Sequence, residues 1–375
     1  MSSKIINTKC KRWPISLALV SPPLRGERLI NKSTADAVLR RFVPAHKNWD
    51  SLQMSEEHDR DDSSNNSLVE DRLPDTNNMI QGQQFKFAVG HKLSPGRYGA
   101  VYEVLRKTDG KSYAAKLEVC DLHFHGLHTE WNVMKEAAKM RCTHFPTLVD
   151  RGKIDGHFKF IVMTKLGDNL FKLRLSFVEQ RFSPTTSLRL ALQTLEALEE
   201  LHSIGYIHRD VKASNFAVKE NNGEIQIYLL DFGLCRHYRD SDNQIKAPRD
   251  SVQFRGTTRY ASLAAHYEKE QSPKDDIESW LYMVIEMMTG SLPWSVYRKN
   301  ERDMVQRLKE ECRHNEGLYR LLEYCPRMEF HRILKYVDGL KYFNQPDHKF
   351  IKELLQHAIK NNGLKMDDPY DWQED

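Results

Sequence analysis

Alternation of apolar and polar positions sets in at Phe85 and predicts short strands. Tyr98 to Leu105 and Ser112 to Glu118 are joined through Thr108-Asp109-Gly110, whose Asp-Gly pair is a strong hairpin signal, so they are expected to be antiparallel neighbours. In "LHTEWNVMKEAAKM" the period lengthens to that of a helix, with Leu127, Trp131, Met134 and Ala138 on one stripe. Phe158 to Met163, "FKFIVM", reads as another buried strand. After Gly167 the chain turns helical. Ser183 and Pro184 suit the cap and first turn of a helix carrying Leu188, Leu192, Leu195, Leu198 and Leu201. Trp280 to Met288 is apolar almost all round, as a helix buried on every side would be, and Gly290 closes it. A last helix is predicted from about Asp347, with Phe350, Ile351, Leu354, Leu355, Ala358 and Ile359 inward and Gly363 past its end. The pattern describes an α+β chain: a small strand-rich lobe, then a larger helical one.

One further hairpin interrupts the helices. In "NFAVKENNGEIQIYLLDFG" the pair Asn222-Gly223 supplies the turn, Asn215 precedes the first strand and Asp231 follows the second. A tight hairpin brings its ends together, so two side chains able to bind a metal are held side by side.

Composition alters this picture mainly before Phe85. Residues 1–84 combine a basic first part (Lys4, Lys9, Lys11, Arg12, Arg25, Arg28, Arg40, Arg41) with the acidic, polar stretch Ser55 to Asp75, and are expected to be a disordered extension. The net charge of +4, from 56 Lys and Arg against 52 Asp and Glu, gives no reason to expect nucleic acid as a partner. Six scattered cysteines without a close pair favour a reducing compartment. No apolar run reaches the roughly 20 residues of a membrane span, and Ile15 to Val20 is too short for a secretory signal. A mitochondrial presequence stays open, since no acidic residue precedes Glu27, although no long amphipathic helix follows. A cytoplasmic, monomeric protein is expected, with the nucleus also open.

The chemistry is concentrated in "YIHRDVKASN" (Tyr206 to Asn215) and "LLDFG" (Leu229 to Gly233), which match the catalytic loop and the metal loop of protein kinases. Phosphoryl transfer needs cations on the phosphates and a carboxylate to orient the attacking hydroxyl and take its proton. Asp210 would be that carboxylate, Lys212 a cation beside the transferred group, and Asn215 and Asp231 the magnesium ligands. Lys116 lies in a strand among Ala114, Ala115 and Leu117, where a charge has no packing use. It would hold the ATP phosphates if Glu130 of the next helix fixes it. Two ordinary exposed charges are the alternative. Met163 to Leu166 would lead into a hinge, residues 164–167, that meets the adenine edge with backbone groups.

Together these motifs make the chain resemble the protein kinases over residues 85–372, with a small lobe at about 85–163 and a large lobe at 168–372. "FRGTTRYAS", "DDIESW" and "GSLPW" resemble the casein kinase I superfamily, which has no A-P-E motif where this chain has Ala261-Ser262-Leu263. "SNFAV", "APRDSVQFRGT" and the stretch Tyr342 to Trp372 are most similar to its tau-tubulin kinase group. The resemblance implies a bilobal fold, ATP with magnesium, and Ser/Thr as the acceptor, given Lys212 two residues after Asp210. It implies nucleotide contacts from Leu93, Gly96, Gly99, Val101 and Ala114, with Met163 and Leu166 at the hinge. It also implies that Asp276 braces the catalytic loop and that Arg209 can meet a phosphate or acidic group.

The glycine-rich loop departs from the family pattern. Ser94 stands where the first glycine of G-x-G-x-x-G belongs, Pro95 follows, and Gly96 and Gly99 keep the other two places. The central position is expected to be the most demanding, and Pro95 removes a backbone donor, so nucleotide binding should be weaker or slower. Lys246, Arg249, Arg255 and Arg259 suggest an acidic or already phosphorylated peptide as substrate, or else a solvated rim. Two other readings compete. One is a pseudokinase scaffold, against which the joint presence of Lys116, Glu130, Asp210, Lys212, Asn215 and Asp231 speaks. The other, a cytoskeletal binding protein, rests on the tau-tubulin kinase likeness alone.

Overall fold

The computed structural model describes residues 69–373 apart from 121–125, 222 and 299. From Leu73 onward the described residues belong to one compact unit, which carries everything that follows. Of the expected extension over residues 1–84, residues 1–68 lie outside the described residues, as does the turn residue Asn222.

Six antiparallel strands form the small lobe, in the order β1-β2-β3-β4-β6-β5: Met79–Gln81, Lys86–Gly96, Gly99–Arg106, Ser112–Val119, Phe158–Thr164 and Leu148–Ile154. Ala115 and Leu117 point to one face, where they pack with Phe87, Val89, Val104, Phe160 and Val162. Ala114 and Lys116 therefore face the other way, toward helix α1 (Gly126–Lys139). The sheet begins before Phe85, because β1 pairs with β2 from Met79↔Ala88 to Gln81↔Lys86. The connection after β1 is gathered by the buried Asp150, whose carboxylate accepts the N–H groups of Gln83, Gln84, Phe85 and Arg151. The polar composition of residues 73–84 hid this, since the segment offers little to the core beyond Ile80 and Leu73 and is otherwise held by hydrogen bonds. Along α1 the inward residues are Leu127, Glu130, Val133, Met134 and Ala137, while Ala138 is exposed. The predicted stripe was one residue off at its end, where the 3.6-residue period brings Ala137 under the sheet.

The large lobe opens with α2 (Leu170–Leu175) and α3 (Pro184–Ser203). The Ser183 side chain caps α3 by accepting the Thr186 N–H. After the short strand β7 (Tyr206–Ile207) come hairpin β8 (Phe216–Asn221) and β9 (Glu224–Leu229), then β10 (Arg236–His237). Gly223 takes φ 85° at the hairpin tip, a left-handed turn conformation open to glycine. Helices α4 (Leu263–His266), α5 (Pro273–Thr289), α6 (Arg302–Glu311), α7 (Asn315–Leu321), α8 (Arg327–Gly339) and α9 (His348–Asn361) complete the lobe. Every residue of α5 from Trp280 to Met288 is buried, and Gly290 ends the helix at φ 83°. Each large apolar side chain so buried contributes roughly 1.5–3 kcal/mol. Trp280 Nε1 donates to Thr194 Oγ1 (2.9 Å), joining α5 to α3.

The segment after α9 returns to the start of α3. Asp371 accepts the Ser183 N–H (2.5 Å) and the Thr186 hydroxyl (2.8 Å). Tyr370 stacks on Trp372, which meets Phe182 edge-on, and the Arg189 guanidinium covers the Tyr370 ring at 3.8 Å.

Candidate active site

The central ion pair grows out of the register of β4. Lys116 Nζ donates to Glu130 Oε2 (2.5 Å) on α1 and to Asp231 Oδ1 (2.7 Å) beyond the β8–β9 hairpin. Burial alone would lower the Lys116 pKa, but the two carboxylates more than reverse this and raise it. Lys116 in turn holds Asp231 below the usual carboxylate range, whereas burial pushes Glu130 up. The Asp231 side chain is 50% exposed, against 3% for Glu130. Asp231 itself sits at φ 59°. The following Phe232 is fully buried and stacks on Phe145 with ring centroids 5.1 Å apart.

The catalytic loop is held from below by α5. Asp276 accepts the N–H groups of His208 (2.7 Å) and Arg209 (2.9 Å), and its Oδ2 also meets His202 Nε2 (2.9 Å). Burial opposes the Asp276 charge, yet these partners bring its pKa below the ordinary value. His202 in turn pairs through Nδ1 with His348 Nε2 of α9 (3.1 Å). The Asp210 N–H donates to His208 Nδ1 (3.3 Å), so Nε2 of that ring carries the proton and donates to Leu230 O (3.0 Å). Arg209 adopts φ 67°. Gly256 (φ 104°) lies so close to the Arg209 carbonyl that a Cβ there would come within 2.5 Å of its oxygen.

Asp210 has two side-chain partners: Oδ1 accepts the Thr257 hydroxyl (2.7 Å), and Oδ2 lies 3.0 Å from Lys212 Nζ. Asn215 Nδ2 donates to Asp210 O (2.9 Å), and Asn215 O accepts the Leu230 N–H (2.8 Å). The catalytic and metal loops are thereby tied across the hairpin, as the local spacing predicts. The amide placement leaves Asn215 Oδ1 as an acceptor, and Asp231 is an ionised, half-exposed carboxylate. Two hard oxygen donors of this kind suit magnesium.

The nucleotide side of the cleft is formed by β2, β3 and the hinge. Register pairs Ser94 with Val101, Pro95 with Ala100 and Gly96 with Gly99, so the glycine-rich segment extends the hairpin, with Arg97 and Tyr98 at its tip. The sharp steric demand falls on Gly99, where a Cβ would lie 1.9 Å from Leu117 O; at Gly96 the nearest atom would be 3.3 Å away. The central glycine is therefore not the tightest position of this backbone. Ser94 and Pro95 are exposed and strain nothing around them. Ala114 and Met163 are register partners and both buried, Val101 is partly buried, and Leu93 is exposed. In the hinge, Lys165 is fixed to Glu103 (2.5 Å), and the Gly167 N–H donates to Val218 O (2.8 Å).

The predicted basic cluster is divided among different partners. Arg259 pairs with the buried Glu286 (3.0 Å), Arg249 binds Glu270, and Lys246 Nζ donates to His237 O (3.0 Å). Arg255 is exposed. Burial pulls the Arg209 pKa down to about 10, and the neighbouring Arg255 and Arg236 add to the effect. The sequence reading missed Arg236 and Glu270, which meet across the segment at 3.5 Å. It also gave no role to His202 and His348.

A protein kinase domain model matches residues 87–361. The chain is 32% identical over 295 residues to serine/threonine-protein kinase spe-6 of Caenorhabditis elegans, covering 78% of this chain and 77% of that protein. It is 30% identical over 296 residues to a Dictyostelium discoideum protein named as a serine/threonine-protein kinase, covering 79% of this chain and 57% of that one. With the catalytic and metal loops tied together across one hairpin and the matched domain spanning both lobes, the chain belongs to the protein kinase family, in the company of serine/threonine kinases.

Proposed function

We propose that this chain is an ATP- and magnesium-dependent serine/threonine protein kinase of casein kinase I type, closest in its motifs to the tau-tubulin kinase group. Its substrates are Ser/Thr side chains in acidic or already phosphorylated proteins. The observation that carries the reading is the double engagement of Lys116 with Glu130 and Asp231, which joins both lobes at one ammonium. A scaffold has no need of a partly buried cation placed between them.

Lys116 supplies positive charge for the nucleotide phosphates, and Glu130 fixes its position. Asn215 and Asp231 would hold magnesium, which when bound neutralises charge on the phosphates. Asp210 accepts the proton of the acceptor hydroxyl, and Thr257 and Lys212 orient its carboxylate. Hinge backbone groups between Met163 and Leu166 face the adenine edge. Arg255, exposed beside Arg209, is the member of the basic cluster best placed for an acidic group on the substrate.

Transfer of labelled γ-phosphate from ATP with magnesium to casein and to an acidic Ser/Thr peptide tests this directly. Wild type should label both, and Asp210→Asn should lose at least about a thousandfold in kcat. A folded wild type that labels neither would favour the scaffold reading, with the Ser94-Pro95 hairpin as its decayed part.

A further inference from the structure

Lys309, on α6, has no exposed surface, and burial pulls its pKa well below the ordinary lysine value. A buried ammonium is costly unless its surroundings compensate it. Among the described residues no carboxylate lies within ion-pair distance of Lys309. Its nitrogen instead donates to Thr258 O (2.9 Å) and Ala261 O (2.7 Å) and meets His266 Nε2 (3.1 Å). Two N–H groups of Lys309 are thus taken up by backbone carbonyls, and the His266 ring nitrogen is its third polar neighbour. The rings of Tyr282 and Trp294 lie 4.9 and 5.3 Å from the same nitrogen and present their faces to it. Burial, reinforced by Lys309, pushes the His266 pKa down to about 3, which keeps that ring neutral and able to accept.

The two carbonyls belong to the segment that reaches Asp210 through Thr257. Between them, Arg259 O accepts Trp294 Nε1–H (2.8 Å). Just before them, Thr257 donates to Asp210 and receives Lys212 Nζ (3.3 Å). Just after them, the Leu263 N–H donates to Glu278, which is paired with Arg313. The stretch from Thr257 to Ala261 is thus suspended between the catalytic carboxylate at one end and the buried amino group of Lys309 at the other.

We propose that Lys309 is a positioning residue for the protein acceptor: its caged amino group, by holding two backbone carbonyls, sets the course of residues 257–261, on which the acceptor peptide docks and from which Thr257 reaches Asp210. The proposal rests on the kinase reading above. Lys309 touches neither nucleotide nor acceptor; it acts through the backbone carbonyls it holds.

Steady-state kinetics with the acidic peptide and ATP varied separately, on wild type, Lys309→Met and Trp294→Phe, test it. Methionine keeps the aliphatic stem within the aromatic cage but removes the donors. The expected result is a KM for peptide raised about tenfold or more in Lys309→Met, with the KM for ATP within about twofold of wild type. Trp294→Phe, which releases only Arg259 O and keeps an aromatic face, should raise the peptide KM about threefold. A folded Lys309→Met with an unmoved peptide KM, or with both KM values rising together, would overturn the proposal. If Lys309→Met does not fold, an unmoved peptide KM in Trp294→Phe overturns it instead. A wild type that transfers no phosphate brings down the kinase reading and this proposal with it. An active wild type with unmoved variants brings down the Lys309 role alone.

Discussion

The two loops that would meet a nucleotide, Lys92–Val101 and Tyr206–Asn215, are secured in opposite ways. The first is the end of a hairpin, exposed from His91 to Arg97 and carried by its strand pairing. The second is fastened from below by a buried carboxylate, from the side by His208, and across the hairpin by Asn215. The difference explains where the chain can depart from its family's pattern. A serine and a proline are accommodated in the glycine-rich hairpin because nothing rests on them, whereas Gly99, pressed against Leu117 O, has no such freedom. In the catalytic loop almost every polar atom is shared with a neighbour, so a single replacement disturbs several contacts.

The contrast predicts graded sensitivity. The largest effect is expected for Asp276→Ala, which strands the N–H groups of His208 and Arg209 and the ring of His202 in the core. We expect a stability loss of about 3–5 kcal/mol in urea unfolding, with phosphate transfer lost as well. A loss below about 1 kcal/mol would mean the loop is not held from α5.

A second effect is read by pH. Burial, followed by the neighbouring His202, pushes the His348 pKa down to about 3, so the folded state keeps this ring neutral where the unfolded chain, with a pKa near 6.5, takes up a proton. The unfolded state then binds more protons. This contribution to stability is fully present above about pH 6.5 and is lost as pH falls toward 3. Replacing His348 by Phe should flatten the stability–pH curve by roughly 1.4 kcal/mol per pH unit in that window, read from urea midpoints. An unchanged slope would assign the acid sensitivity to other groups, His266 among them.

The smallest effect belongs to the hairpin. Ser94→Gly should lower the KM for ATP by only about two- to threefold in steady-state assays. A shift beyond tenfold in either direction would show the hairpin to be as tightly specified as the catalytic loop, and the comparison would fail.

What was legible in the sequence was local. Asp210, Lys212 and Asn215 sit on one short loop, and a tight turn brings Asp231 back to it, so spacing alone assembled them. Lys116 and Glu130 were readable because a charge amid alanines in a strand has few other uses. Contacts between distant segments were not readable. Nothing near His202 in the chain announces His348, 146 residues away, and nothing near Thr258 announces Lys309, 51 residues on. The four basic residues Lys246, Arg249, Arg255 and Arg259 failed differently: their proximity in sequence suggested a cluster, but buried glutamates draw Arg249 and Arg259 apart. Asp150 illustrates a further limit, since a carboxylate that gathers backbone N–H groups leaves no hydrophobic pattern to read.

The docking of Asp371, Tyr370 and Trp372 onto the start of α3 bears on biosynthesis. The Ser183 N–H and the Thr186 hydroxyl find their acceptor 188 and 185 residues downstream. While residues 368–372 are still inside the ribosome, α3 has emerged but its first turn lacks this partner, and the Phe182 ring lacks Trp372. Order of translation and order of completion are therefore reversed for this helix, which is made early and finished late.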